Sequence, residues 1–221
     1  MGLDPHSYPR FARQYSSRLK YHIVSDTCGM IAAHVIRRVR KTFWNNPSKK
    51  PVTPKMTLFV FTDGAASKNG ATDCEAAWSV VYFGEQDPRN CSGKIELAPS
   101  NQKAELYAIL QALQLTADDN DVTIVSDSKY AINCLTKWCD AWERNGWVTA
   151  KKEAVKHAQV IQESLEFLRS LGDDFESDAP RVKFRHVNSH RKQPKLSDQQ
   201  ETFFWHGNDQ ADLMAHRVLG R

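Results

Sequence analysis

Apolar and polar positions alternate in a regular way only after about residue 56. The stretch 58–65 runs from apolar and β-branched residues into Asp63 and Gly64, which predicts a buried strand that delivers Asp63 to a glycine-marked turn. Two further strands are predicted over 76–83 and 94–97. The short segments that join these three strands are rich in turn residues, so an antiparallel meander is expected.

Helical spacing then alternates with strand patterns. Leu106, Ile109, Leu110 and Leu113 recur at the spacing of a buried helical face. The predicted elements are, in chain order, a helix over 102–117, a strand over 121–125, a helix through Tyr130, a helix over 155–171, a strand over 182–187 and a last helix that opens at Gly207. Three antiparallel strands followed by alternating helices and strands predict an α/β fold, a mixed sheet flanked by helices.

The N-terminal residues, 1–55, follow a different pattern. From Ser25 the apolar residues fall four apart and the rest of the surface is basic, which predicts an amphipathic helix, and residues 45–54 contain three prolines, which is typical of a linker. We therefore expect a basic arm over 1–55 and a main domain over 56–221. A docked or partner-binding helix, a mitochondrial transit peptide and a nucleic-acid grip all fit the arm.

Charge is distributed unevenly along the 221 residues. Residues 1–55 hold 11 of the 30 Lys and Arg but two of the 26 Asp and Glu, a net charge of +9, and the remainder carries −5. A basic arm of this kind is expected to bind a polyanion or an import receptor. No apolar run reaches a membrane span, so no span is expected. Five cysteines without disulfide or zinc spacing predict reduced thiols and an intracellular protein, with nucleus and mitochondrion both open.

Four acidic residues are predicted at the ends or first turns of elements. Taken singly, each is more simply explained as a turn or helix-end residue. Taken together they fit a hard divalent cation, because Mg²⁺ prefers oxygen ligands and uses few protein carboxylates. The four are Asp63, Glu105, Asp127 and Asp212.

Four motifs occur in the order that is typical of a known family: Phe61–Gly64, Asn101–Glu105, Ser126–Ser128 and Gly207–Asp212. On these motifs the chain from about residue 56 resembles a type 1 ribonuclease H. The resemblance implies a ribonuclease H-like fold, a five-stranded mixed sheet with its first three strands antiparallel. It also implies hydrolysis of the RNA strand of RNA–DNA hybrids, leaving 5′-phosphate and 3′-hydroxyl ends.

The same resemblance implies the site residues. Asp63, Glu105, Asp127 and Asp212 would hold two Mg²⁺ ions, with Mn²⁺ as a possible substitute, and Asp212 is preferred to Asp209 because the family's ligand follows the small residue of the last motif. His190 would be the mobile histidine of the family. The chain departs from the family here, because about a dozen extra residues separate His190 from the last motif, so His206 is a rival.

Substrate contacts are also implied by the resemblance. Asn69, Asn101 and Gln102 would contact the hybrid in its minor groove, where 2′-hydroxyls are displayed. Tyr130 and Trp138 would line a channel for the DNA strand, within a basic protrusion that extends to Lys152. A free-standing, monomeric enzyme is expected. The alternatives are a hybrid-binding module that has lost cleavage, a nuclease of the wider fold that acts on DNA or duplex RNA, and a domain separated from a reverse transcriptase.

Overall fold

The computed structural model describes residues 57–82, 87–117, 119, 121–171, 180–189, 192–195 and 197–221. The predicted arm and linker lie outside these residues and remain predictions. In chain order the elements are β1 (Leu58–Ser67), β2 (Glu75–Tyr82), β3 (Cys91–Lys94), α1 (Asn101–Leu115), β4 (Val122–Ser126), α2 (Lys129–Asn133), a π-helical turn (Cys134–Trp138), α3 (Cys139–Arg144), α4 (Ala158–Ser170), β5 (Val182–His186) and α5 (Gln199–Val218).

The strands form one mixed sheet of five strands in the order β3-β2-β1-β4-β5. β1, β2 and β3 pair antiparallel, whereas β4 and β5 run parallel to β1. Parallel neighbours need a crossover connection, and α1 supplies it between β3 and β4. The predicted fold class, a five-stranded mixed sheet with helices, is confirmed.

Successive residues of the central strands face two separate cores. Val60 packs with α1 and α4 on one face, and its neighbour Phe61 packs with α5 on the other. The same alternation continues in β4, where Ile124 and Val125 face opposite sides. Because side chains alternate along a strand, a continuous apolar run marks a strand buried on both faces.

The third strand lies earlier than the sequence pattern predicts. β3 spans Cys91–Lys94 rather than 94–97. The prediction followed the apolar residues, but Leu97 is 77% exposed and Ile95 is buried just beyond the strand. The amide Oδ1 of Asn90 accepts a hydrogen bond from the backbone N of Tyr82 at 2.8 Å, which helps to fix where the strand begins. On this edge strand, backbone pairing rather than apolar content sets the boundary.

The last helix begins eight residues before the predicted start. α5 spans Gln199–Val218, and the Asp198 side chain caps it by accepting from the Glu201 backbone N at 3.1 Å. Gly207 was expected to open the helix, but it lies inside α5. A Cβ at this position would come within 2.2 Å of the Phe61 ring. Gly207 therefore permits close packing of helix on sheet. In the part of the chain that is described, none of the helices has the length and apolarity to cross a membrane.

Candidate active site

The sequence pattern predicted Asp63 at the end of its strand. In the structure it lies in the middle of β1. β4 pairs with β1 only as far as Thr62, which is opposite Ser126, so Asp63 is the first residue of β1 beyond the parallel ladder. On its other side β1 continues, with Asp63 opposite Ser79 of β2. The carboxylate is held on a fully formed central strand at the point where the neighbouring strand stops.

Gly64 brings α1 onto this strand. A Cβ at residue 64 would lie 2.3 Å from the backbone N of Glu105 and 2.6 Å from the carbonyl carbon of Ala104. Only glycine allows this approach, and it places Glu105 next to Asp63. The expected turn at Gly64 is wrong, because the residue serves helix–strand packing inside β1.

Asp127 follows directly after β4. Ser126 Oγ accepts a hydrogen bond from Ser128 N at 3.1 Å, and Ser128 Oγ caps α2 by accepting from Ala131 N at 3.2 Å. His186, the last residue of β5, places its Nε2 3.1 Å from the Asp127 carbonyl oxygen. Sequence reasoning missed His186, although its position at the end of a neighbouring parallel strand could have indicated the contact.

The three carboxylates converge. One ligand oxygen each from Asp63, Glu105 and Asp127 lie within 4.8 Å of one another. Burial, with the charges of Asp127 and Asp212, raises the pKa of Asp63 to about 7. Burial also raises the pKa of Glu105 well above its usual value, with Asp63 and Asp127 adding to the effect.

This cluster suits a divalent cation. Glu105 Oε2 is buried and has no hydrogen-bond partner among the described residues, which is costly unless a ligand satisfies it. Oxygen donors and excess negative charge are what a hard cation requires. Divalent metal binding at these carboxylates therefore fits both the chemistry and the geometry.

Asp212 lies well inside α5, not in a first turn as predicted, so neither it nor Asp209 complements a helix N-terminus. It is outside the closest group of three carboxylates, but its charge raises the pKa of both Asp63 and Glu105. Asp209 and Asp212 line a cavity together with Asp127. The His216 Nδ1 lies 3.3 Å from Asp212 Oδ1.

The family model described as RNase H matches residues 54–219. The chain belongs to the ribonuclease H family. Ribonuclease H of Schizosaccharomyces pombe is 33% identical over 178 residues, 79% of this chain and 58% of that protein. Ribonuclease H of Rhizobium johnstonii is 30% identical over 161 residues, 72% of this chain and 89% of that protein. The chain thus spans little more than half of the first relative.

A solved structure of a foamy viral protease–reverse transcriptase in complex with an RNA/DNA hybrid shares the ribonuclease H fold. Its TM-score is 0.50 at 20% identity, over 78% of this chain and 21% of that one. The likeness concerns the fold.

The histidine that the ribonuclease H motif implies, His190, lies outside the described residues, so its role stays a prediction. Its rival, His206, is in α5, with its ring centroid 4.9 Å from that of Trp205. Trp205 itself lines the cavity that contains Asp127 and Asp212. Sequence reasoning missed Trp205 because the segment before Gly207 was not predicted to be helical.

The residues predicted to contact the minor groove lie at or near the N-terminus of α1. Asn69, in the turn after β1, accepts a hydrogen bond through Oδ1 from the backbone N of Asn101 at 3.1 Å. Ser100 caps the helix, and Gln102 is exposed beside Asn101. The contact brings Asn69 and Asn101 together, whereas their role toward nucleic acid remains a prediction.

Aromatic rings follow one another along the predicted protrusion. Tyr130 and Trp138 have centroids 6.1 Å apart, Trp138 and Trp142 5.7 Å, and Trp142 and Trp147 6.4 Å. Trp138 is 38% exposed, while Trp142 packs against the core. The π-helical turn follows Tyr130 and ends at Trp138, and such turns often occur at functional sites.

Proposed function

We propose that the chain is an endonuclease that hydrolyses the RNA strand of RNA–DNA hybrids and leaves 5′-phosphate and 3′-hydroxyl ends. The observation that carries the proposal is the convergence of Asp63, Glu105 and Asp127, with an unsatisfied buried oxygen on Glu105. Membership of the ribonuclease H family and the hybrid bound to the foamy viral relative support the choice of substrate.

The carboxylates hold the catalytic cations. Two Mg²⁺ ions are proposed, with Mn²⁺ as a substitute, and Asp212 completes the ligand set from the wall of the same cavity. A bound divalent cation supplies Lewis acidity at the scissile phosphate and acidifies the attacking water. The protein fixes the ligands on three rigid elements: β1 for Asp63, α1 for Glu105 and the end of β4 for Asp127. His186 steadies the backbone at Asp127.

Substrate selection is proposed to come from two surfaces. Asn69, Asn101 and Gln102 offer amides that donate and accept hydrogen bonds, as 2′-hydroxyls and base edges require. Tyr130 and Trp138 offer ring faces to the DNA strand. Because sugar contacts carry no base identity and minor-groove base edges distinguish base pairs poorly, cleavage is expected to depend little on sequence.

The test is cleavage of a labelled RNA–DNA hybrid, duplex RNA and duplex DNA with Mg²⁺. Wild-type protein should cut only the hybrid, and Asp127→Asn should abolish cleavage while retaining the fold. The matched control is Glu166→Gln, on an exposed acid of α4 outside both the carboxylate group and the protrusion, which should cleave at the wild-type rate. Hybrid binding without cleavage by the wild type would make the chain a binding module instead.

The basic arm is proposed to add to the grip on nucleic acid, and the enzyme to act as a monomer inside the cell. The affinity of a protein for nucleic acid falls more steeply with salt concentration when the protein neutralises more phosphates. Deletion of 1–55 should therefore lower the slope of log affinity for the hybrid against log salt concentration. Equal slopes for full-length and shortened protein would assign the arm to another task, such as binding an import receptor.

A further inference from the structure

The N-terminal part of α5, residues 199–206, is firmly attached to the sheet. Phe203 and Phe204 pack edge-on against Phe59, with ring centroids 5.5 and 5.3 Å apart, and Phe203 also contacts Phe61 at 5.6 Å. The Arg185 guanidinium lies 3.7 Å from the centroid of the Phe204 ring. Because four phenylalanines and a cation hold this segment, the residue directly after Phe204 has a fixed position.

That residue is Trp205, and helical geometry sets its direction. Asn208, Asp209 and Asp212 follow it by three, four and seven positions, so all four residues lie on neighbouring stripes of one helix face. The same four residues line the cavity that includes Asp127. The indole is thus on the wall of the compartment that holds two of the proposed catalytic acids.

Trp205 is half-buried, in contrast to Phe204, which is 2% exposed in the core beneath α5. Part of the Trp205 side chain is therefore accessible to solvent, and the residue contributes to the cavity wall. The other cavity residues are polar apart from Val187 and Phe204, both of which are buried. An aromatic surface beside carboxylates is suited to a ligand that combines a charged phosphate with a flat or apolar sugar face.

We propose that Trp205 packs against the ribose next to the scissile phosphate and so helps to position the RNA strand. This inference rests on the proposed function, because it takes the phosphate to lie at Asp63, Glu105 and Asp127. In a hybrid duplex the base faces are stacked on one another, so a side chain that approaches from the minor groove meets sugars. The contact would be independent of base sequence and would act on binding rather than on the chemical step.

The expected effect is a rise in KM. Aromatic contacts to nucleotides are worth roughly five- to 150-fold in affinity, and a sugar contact belongs at the lower end. Trp205→Ala should therefore raise KM for the hybrid about tenfold and leave kcat within about twofold, the pattern of a lost contact that is equal in ground and transition states. Trp205→Phe, which keeps a ring, should restore most of the affinity.

The experiment measures cleavage kinetics and binding separately. Binding of a labelled hybrid is followed by fluorescence anisotropy in an Asp127→Asn background, so that no cleavage occurs, with tryptophan, alanine or phenylalanine at residue 205. The matched control is Leu213→Ala, an exposed apolar residue of the same helix that lines a different groove with Val81 and Met214. It should leave both KM and anisotropy unchanged.

Each result decides the matter. Unchanged KM and binding in a folded Trp205→Ala protein would overturn the inference, and so would a fall in kcat at constant affinity. If the alanine variant unfolds, Trp205→Gln replaces the ring by a flexible chain, and a wild-type KM there would equally overturn it. Failure of the wild type to cleave or bind the hybrid would instead sink the proposed function, together with this contact.

Discussion

Replacing Asp63 by Asn should stabilise the metal-free protein near neutral pH while abolishing cleavage. Asp63 is 4% exposed, and burial beside Asp127 and Asp212 raises its pKa from 3.8 to about 7. The native state consequently binds more protons than the unfolded chain between about pH 4 and 7. Metal-free stability must therefore fall as the pH rises through that window.

The magnitude follows from the shift. Each pKa unit corresponds to about 1.4 kcal/mol, so ionised Asp63 costs about 4 kcal/mol at pH 8 relative to a group without a shift. Asparagine carries no charge to desolvate or repel, and it is nearly isosteric. Relative to wild type, Asp63→Asn should gain about 3 kcal/mol more in its free energy of unfolding at pH 8 than at pH 4.5.

The assay is urea unfolding, followed by circular dichroism, at these two pH values in the presence of EDTA. Glu166→Gln, at an exposed acid of α4, is the control and should not alter the pH dependence. Mg²⁺ at pH 8 should stabilise the wild type more than the Asn variant, because a cation that binds only the native state relieves the repulsion. The same pH dependence in wild type and variant would refute the electrostatic reasoning.

Three further substitutions test the packing of two residues near the site and the electrostatics of a buried histidine. Gly64→Ala should lower the free energy of unfolding by about 1–3 kcal/mol and lower kcat, because its Cβ would meet the backbone of Glu105. Gly93→Ala is the control for urea unfolding. Its Cβ would meet only the Trp78 side chain, so its loss of stability should be smaller. Phe204→Ala should cost about 3–5 kcal/mol by opening a cavity under α5, measured by thermal unfolding. Burial and nearby lysines lower the pKa of His157 to about 4, so stability falls as pH decreases from about 6.5 to 4, and His157→Gln should flatten that part of the stability profile.

The sequence pattern predicted the position of an element correctly where burial of apolar residues alone sets that position. The apolar run of β1 is buried on both faces, and the helical spacing in α1 matches its buried face of Leu106, Ile109 and Leu113. Edge strand β3 was misplaced because its residues are half-exposed and its position depends on pairing with β2. The start of α5 was missed because Gly207 resembles a helix boundary until the Phe61 ring beneath it is known.

The sequence by itself determined the family and the order of the elements and singled out four candidate acids, since these depend on residue types at short spacings. Only the tertiary structure decided which acids are neighbours. Asp63 and Glu105 lie together because α1 approaches β1 at Gly64, and Asp127 joins them because β4 ends beside Asp63. The tertiary structure also placed His186 against the Asp127 carbonyl oxygen and Trp205 on the wall of the cavity that Asp127 and Asp212 line. Contacts between residues distant in the chain depend on packing, so the spacing of residue types along the chain does not by itself specify them.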